Sequence, residues 1–139
     1  LIDREPQETG IIDQAKENGA GFIVFSPLAQ GLLAGRYLDG IPADSRIANG
    51  GHLKKEALTE ERLQQIQALN RIAGRRGQPL AEMSLAWILN DERVTSVIIG
   101  SSSVGQMQKN LKALHSPAFT TEELQEIERV LNGKVKAEK

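Results

Sequence analysis

Two short polar segments follow apolar runs and carry the residue types best suited to hold a ligand. The first is Ser26-Pro27-Leu28-Ala29-Gln30-Gly31, after the apolar run 22–25, and the second is Gly100-Ser101-Ser102-Ser103, after the run 94–99. Open α/β sheets and β/α barrels bind ligands at the carboxyl ends of their strands. The second segment also opens a predicted helix, whose free N–H groups favour an anion such as phosphate. One such turn alone more often only caps a helix, but two in one chain favour a ligand site.

The long loop after the first segment carries two arginines, Arg36 and Arg46, whose guanidinium groups could grip phosphate oxygens in two-pronged fashion. Each alone is more often a solvated surface residue. The glycines of this loop would let it fold tightly over a ligand or would merely make it floppy. With two histidines and no cysteine in the sequence, we predict no metal site. No acid–base constellation emerges, so we assign no catalytic residue to this chain.

Composition narrows the class of protein. The 139 residues are 40% hydrophobic and 25% charged, and 17 Lys plus Arg nearly balance 18 Asp plus Glu. Without a basic field, neither nucleic acid nor an anionic membrane is an expected partner. No apolar run approaches the roughly 18 residues of a membrane span, and we expect a cytoplasmic protein. The chain starts at Leu1 without a signal-peptide pattern, so we expect it to be part of something longer.

Helical and strand patterns alternate along the sequence, which favours an α/β fold with a parallel sheet. We predict buried strands at 22–25 and 94–99, and helices at about 5–18, 60–76, 80–90, 104–114 and 121–131. Thr59 is a predicted N-cap, and Ser103 with Gln106 and Thr120 with Glu123 are predicted capping boxes. Two strands some seventy residues apart cannot form a stable sheet alone. We therefore expect the fold to be completed by strands outside this sequence.

The same residues resemble a known family. The run from Phe25 to Tyr37, then Gly40-Ile41-Pro42 and Ser45-Arg46, is similar to the seventh strand and following loop of aldo-keto reductases. The run 94–102, with Gln106 and Asn110, resembles that family's eighth strand and helix, and 81–89 resembles its seventh helix. The nearest branch is that of the bacterial L-glyceraldehyde 3-phosphate reductases and the potassium channel β-subunits.

The resemblance implies the C-terminal part of a (β/α)8 TIM barrel, from helix six through strands seven and eight to a terminal helix. Residues 1–139 would form one segment of a single barrel domain, with a cofactor-covering loop at 27–57 and a flexible tail at 133–139. The missing N-terminal half would complete the barrel, and the family's catalytic Asp, Tyr, Lys and His would lie there.

The resemblance also implies an NADP(H) site and a reaction. The residues expected to hold the cofactor are Ser26, Pro27, Leu28, Ala29, Gln30, Gly31, Arg36, Arg46, Gly100, Ser102, Gln106 and Asn110. The implied activity is hydride transfer from NADPH to a small aldehyde or ketone, with this chain inactive alone. The alternative is a non-catalytic regulatory subunit that senses NADP(H). The sequence leaves a homo-oligomer open.

Overall fold

The computed structural model describes residues 1–38 and 58–133, which form two compact units. The first unit combines residues 1–29 with 81–118, and the second combines 30–80 with the chain from 119 onward. The predicted flexible tail from 134 and most of the predicted covering loop lie outside the described residues. Among the helices described, none has the length and apolar character needed to cross a membrane.

The first unit begins with two helices where the sequence predicted one. Helix α1 spans Glu5–Glu8 and helix α2 spans Ile11–Glu17. The break lies at Gly10, whose φ of 73° is left-handed and interrupts the helical path. Ile12 is the buried residue of α2. The prediction of one helix over 5–18 was therefore wrong at the one position where glycine allows a turn.

Strands β1 (Ile23–Val24) and β2 (Ser96–Val97) pair in parallel, with Ile23 opposite Ser96 and Val24 opposite Val97. The Thr95 N–H donates to the Phe22 carbonyl at 2.8 Å, and the Ile98 N–H donates to the Val24 carbonyl at 2.8 Å. Both strands are shorter than predicted. Ile23, Phe25 and Ile98 are exposed, so the sheet is not covered on both faces by the described residues.

The remaining elements of the first unit are helical. Helix α4 (Leu80–Leu89) has buried residues on several sides, as its apolar composition predicted, and Trp87 within it is half-buried. Helix α5 (Val104–Leu111) follows β2 and continues into a 3-10 turn, Lys112–His115.

Arg93 joins α2 to the segment that leads into β2. Its Nε and Nη2 donate to the Asp91 carboxylate at 2.8 and 2.6 Å, and its Nη1 donates to Asp13 Oδ1 at 2.6 Å. The hydrogen bonds from Arg93 lower the pKa of Asp91 below its usual value and outweigh its partial burial. The ion pair therefore stabilises the first unit only while Asp91 is ionised.

We expect this ion pair to contribute to the pH dependence of the free energy of unfolding at acid pH. A carboxyl whose pKa is lower in the folded state contributes its full stability above the unfolded pKa, which is about 3.9 for Asp. That contribution is lost as pH falls through the lower folded pKa. Urea unfolding of Asp91→Asn over this acid range should give a flatter pH dependence than the parent chain. An unchanged slope would contradict the assignment, and Asp3→Asn is the matched control.

The second unit is built on two long helices, α3 (Glu60–Arg75) and α6 (Thr121–Leu131). The predicted caps are confirmed: Thr59 accepts from the Arg62 N–H, and Thr120 with Glu123 forms a complete capping box. A 3-10 segment, Ala29–Ala34, belongs to this unit from Gln30 onward. The buried core residues of the second unit are Leu32, Leu33, Tyr37, Ile66, Ala68, Leu69, Ile72, Ala73, Leu80, Ile127 and Val130.

A buried arginine fastens the end of α3 to the start of α6. The Arg76 side chain is only 4% exposed; it pairs with Glu123 and lies 3.9 Å above the centre of the Phe119 ring. Its Nε also donates to Gln78 Oε1 at 2.9 Å. Glu123 is at the same time the capping-box residue that accepts from the Thr120 N–H. One carboxylate therefore serves both the helix cap and the junction between helices.

Candidate functional site

The parallel pairing of β1 with β2 brings the two predicted ligand segments to the same edge of the sheet. Val24 lies opposite Val97, so the turn that begins at Ser26 and the turn that begins at Gly100 both leave the carboxyl ends of adjacent strands. A Cβ added at Gly100 would meet no atom within 4 Å, so the space beside this turn is open. We call this place the strand-end site; the predicted residues that lie at it are Ser26, Pro27, Leu28, Ala29, Gly100, Ser102 and Gln106, whereas Asn110 lies near the end of α5.

The turn after β1 has a strained backbone. The Ala29 N–H donates to the Ser26 carbonyl at 2.9 Å, and Pro27 within the turn is buried. Ser26, Ala29 and Gln30 have φ values of 50°, 48° and 57°, a region that residues other than glycine rarely adopt. Such strain gathers at functional sites and is maintained by the surrounding packing.

We expect Ala29→Gly to raise the free energy of unfolding by about 1 kcal/mol, because glycine adopts a positive φ without the Cβ clash. The control is Ala34→Gly in the same 3-10 segment, where φ is not positive and glycine should lower stability. Urea denaturation measures both variants. A loss of stability in Ala29→Gly would show that this turn is not strained.

The turn after β2 is held by its own side chains. Gln106 Oε1 accepts from the Ser102 N–H at 2.7 Å and from the Ser102 hydroxyl at 3.0 Å, while the Ser103 hydroxyl accepts from the Gln106 N–H. The predicted capping box is thus half confirmed: the cap from Ser103 is present, but the glutamine returns to Ser102 instead of Ser103. This arrangement fixes the peptide of Ser102 at the start of α5.

Asn110 is the unexplained polar group of helix α5. It lies in α5, is 5% exposed, and its Nδ2 donor has no hydrogen-bond partner among the described residues. A buried donor without a partner costs roughly 1–3 kcal/mol, so native structures rarely retain one without a role. An amide in this state is suited to bind a polar ring or carbonyl of a ligand.

Three other predicted residues belong to the second unit. Gln30 and Gly31, with φ of 57° and 103°, form a kink inside the 3-10 segment, and Arg36 is exposed. Leu38 follows closely, and its carbonyl accepts from Gln67 Nε2 at 3.2 Å. Leu32, Leu33 and Tyr37 are buried. The segment 30–38 is therefore packed into its unit and is not a flexible loop. Arg46 lies outside the described residues.

Phe25 was missed by the sequence reasoning, which counted it as part of a buried strand. It is 77% exposed and directly precedes Ser26 at the carboxyl end of β1. A flat aromatic face at this edge is suited to stacking on a planar ring. Its place as the last apolar residue before the polar turn was the signal that could have identified it.

The described residues contain no cluster of three or more His, Cys, Asp or Glu that could hold a metal ion. His115 is exposed in the 3-10 turn, and His52 lies outside the described residues. The chemistry that remains at the strand-end site is binding: backbone N–H groups at a helix start, hydroxyls, amides and an aromatic face.

The comparisons with known proteins agree with this geometry. Residues 1–132 match the sequence model of the aldo/keto reductase family. The chain is 46% identical over 133 residues to an L-glyceraldehyde 3-phosphate reductase from Escherichia coli O157:H7, covering 93% of this chain and 38% of that enzyme. It is 36% identical over 140 residues to a probable voltage-gated potassium channel subunit beta from Oryza sativa subsp. japonica, covering 98% of this chain and 43% of that protein.

Among solved structures, the glycerol dehydrogenase of Gluconobacter oxydans superposes with a TM-score of 0.70 at 23% identity. The superposition covers 89% of this chain and 38% of the dehydrogenase. This likeness shows the fold: the chain is the C-terminal part of a (β/α)8 barrel, as predicted, and is incomplete on its own. The chain spans less than half the length of each of these relatives.

Proposed function

Because this chain belongs to the aldo/keto reductase family, we propose that it supplies the cofactor-binding part of an NADP(H)-dependent oxidoreductase that reduces small aldehydes or ketones to alcohols. The observation that carries the proposal is the parallel register of β1 and β2, which puts the Ser26 and Gly100 turns side by side. When bound, NADPH supplies the hydride. Barrel enzymes place their sites at this end of the strands.

The residues of the strand-end site, together with Asn110, fit the parts of such a cofactor. The start of α5 offers N–H groups to a phosphate, although the Ser102 N–H is not one of them because it donates to Gln106 Oε1. The unpartnered Nδ2 of Asn110 fits a ring nitrogen or carbonyl acceptor. Phe25 offers a face on which a planar ring can stack.

The family resemblance makes three residues of the second unit further candidates for phosphate contacts. These residues are Gln30, Gly31 and Arg36. The buried leucines of their segment fix its backbone, so the exposed guanidinium of Arg36 is attached to a well-packed segment. Arg46, further along the same loop, would add a second guanidinium. The proposed preference for NADP(H) over NAD(H) rests on the resemblance to the branch of the L-glyceraldehyde 3-phosphate reductases, because the pyrophosphate is common to both cofactors.

The test uses a complete barrel: the longer natural polypeptide that contains this chain, or a chimera that joins it to the preceding segment of the E. coli reductase. We expect saturable NADPH binding by the barrel, and weak binding with no turnover by the isolated 139 residues. The natural barrel should also oxidise NADPH in the presence of small aldehydes, including L-glyceraldehyde 3-phosphate. A folded barrel without NADPH binding would overturn the proposal.

A second function is favoured by the 36% identity to the potassium channel β-subunits. Under it, the complete protein would bind NADP(H) and act on a partner protein without turnover. Tight NADPH binding by the natural barrel, with no oxidation of the cofactor by any small aldehyde, would select this alternative.

A further inference from the structure

Two of the described helices end in the dipeptide Asn-Gly, and the two ends have the same backbone. Asn18 follows α2 with φ of -89° and ψ of 8°, and Asn132 follows α6 with φ of -84° and ψ of 12°. The next residue is in each case a left-handed glycine, with φ of 67° at both Gly19 and Gly133. The hydrogen bonds around each asparagine are therefore what distinguishes the two ends.

An asparagine that precedes glycine can react with its own backbone. The glycine nitrogen attacks Cγ of the asparagine, a new C–N bond closes a succinimide ring, and the side-chain nitrogen leaves as ammonia with the proton of the glycine N–H. Water then opens the ring to aspartate or isoaspartate. Glycine favours the attack because it has no Cβ to crowd the nitrogen. The reaction needs a carboxamide that is free to turn and a glycine N–H that is free of a strong hydrogen bond.

Asn18 is protected from this reaction on both counts. Its Nδ2 donates to the Gln14 carbonyl at 2.8 Å, which holds the carboxamide against the last turn of α2. The Gly19 N–H donates to the Lys16 carbonyl at 3.0 Å. Ring closure has to break both hydrogen bonds first.

Asn132 lacks this protection. Its side chain is exposed and makes no hydrogen bond to any residue that the structure describes. The Gly133 N–H reaches the Val130 carbonyl only at 3.3 Å, a longer and weaker bond than that of Gly19. We infer that Asn132-Gly133 is a deamidation site of this protein and that Asn18-Gly19 is not.

The product changes the charge where α6 meets α3. Gln65 Nε2 of α3 donates to the Leu131 carbonyl at 3.4 Å, and a Cβ added at Gly133 would lie 3.6 Å from Glu61 Oε1. Deamidation puts a new carboxylate at the negative end of the α6 dipole, one residue from the glycine that Glu61 approaches. Both neighbours repel a negative charge, so the modified protein has a less stable second unit.

The experiment incubates the longer natural polypeptide that contains this chain at mildly alkaline pH, both folded and in denaturing urea. Tryptic peptide mapping follows the reaction, because trypsin places the Asn-Gly pairs in separate peptides, 17–36, 47–54 and 130–134. The pair at 49–50 lies outside the described residues. The ratio of the Asn132 rate to the Asn18 rate should be at least about fivefold higher in the folded protein than in urea, since each additional hydrogen bond to be opened lowers the reactive population by roughly that factor.

A second measurement tests the effect on the second unit. Asn132→Asp, which has the charge of the product, should lower the urea midpoint of unfolding relative to Asn132→Gln. The glutamine variant is the matched control, because it keeps a neutral amide whose longer side chain closes the corresponding ring much more slowly. It should also abolish the mass change in peptide 130–134.

Either of two results would overturn the inference: equal rates at Asn18 and Asn132 in the folded protein, or a ratio of rates that is the same in urea. Equal midpoints for the aspartate and glutamine variants would show that the new charge does not weaken the second unit. Neither measurement involves NADPH, so the inference can fail independently of the proposed function.

Discussion

Arg76→Ala is expected to lower the free energy of unfolding of the chain by about 2–4 kcal/mol, because it breaks a partly buried ion pair. Glu123 loses its buried partner, although its side chain is 26% exposed and still accepts from the Thr120 N–H. The substitution also removes the guanidinium that stacks on Phe119 at 3.9 Å. Urea unfolding followed by circular dichroism measures the loss.

The neighbouring arginine is a matched control. Arg75, in α3, pairs with Glu126 of α6 at 2.5 Å, but the Arg75 side chain is 58% exposed. Exposed ion pairs contribute roughly 0–1 kcal/mol, so Arg75→Ala should be nearly neutral. Similar losses from both substitutions would mean that the burial of Arg76 is irrelevant to its contribution. In 1 M salt the Debye length falls to about 3 Å. The added salt should therefore weaken the exposed Arg75 pair more than the buried Arg76 pair.

Asn110→Leu is expected to weaken NADPH binding without lowering the stability of the chain. In the isolated chain the substitution removes a buried donor that has no partner among the described residues, so stability should stay the same or rise. In a complete barrel it should weaken NADPH binding about 5- to 150-fold, the equivalent of one lost hydrogen bond of roughly 1–3 kcal/mol. Fluorescence titration with NADPH measures the affinity.

Gln108→Leu serves as the control for Asn110, since it changes an exposed amide two residues earlier on the same helix. It should leave the affinity unchanged. If Asn110→Leu instead destabilises the isolated chain strongly, the amide is part of the fold and not of a binding site. An unchanged affinity would remove Asn110 from the proposed cofactor contacts.

The sequence was most informative where local chemistry decides the structure. Thr59, Ser103 and Thr120 were all predicted as caps and all accept the expected N–H, because capping depends on residues within one helical turn. The parallel alternation of elements was equally readable, since buried strands and amphipathic helices have different periods.

Prediction failed at one local turn, at the surface of the sheet and at one buried side chain. The split between α1 and α2 depends on the left-handed conformation of Gly10, which no periodicity reports. Ile23 and Phe25 were predicted to be covered because apolar runs usually are, yet both are exposed among the described residues. The serines of the strand-end site were readable from their position after the strands; the unpartnered donor of Asn110 required the packed structure.

The two units are interleaved along the polypeptide, and this sets the order in which they can form during synthesis. Each unit joins an early segment to a late one: 1–29 with 81–118, and 30–80 with the residues from 119 onward. Phe22 must contact Thr95, 73 residues away in the sequence, before the sheet can form. Helix α3 can pack against α6 only after α6 has been synthesised. Contacts so distant in sequence form slowly, because loop closure precedes any gain from packing. A ribosome-bound chain that ends before residue 119 therefore holds the whole of the first unit and only the early segment of the second.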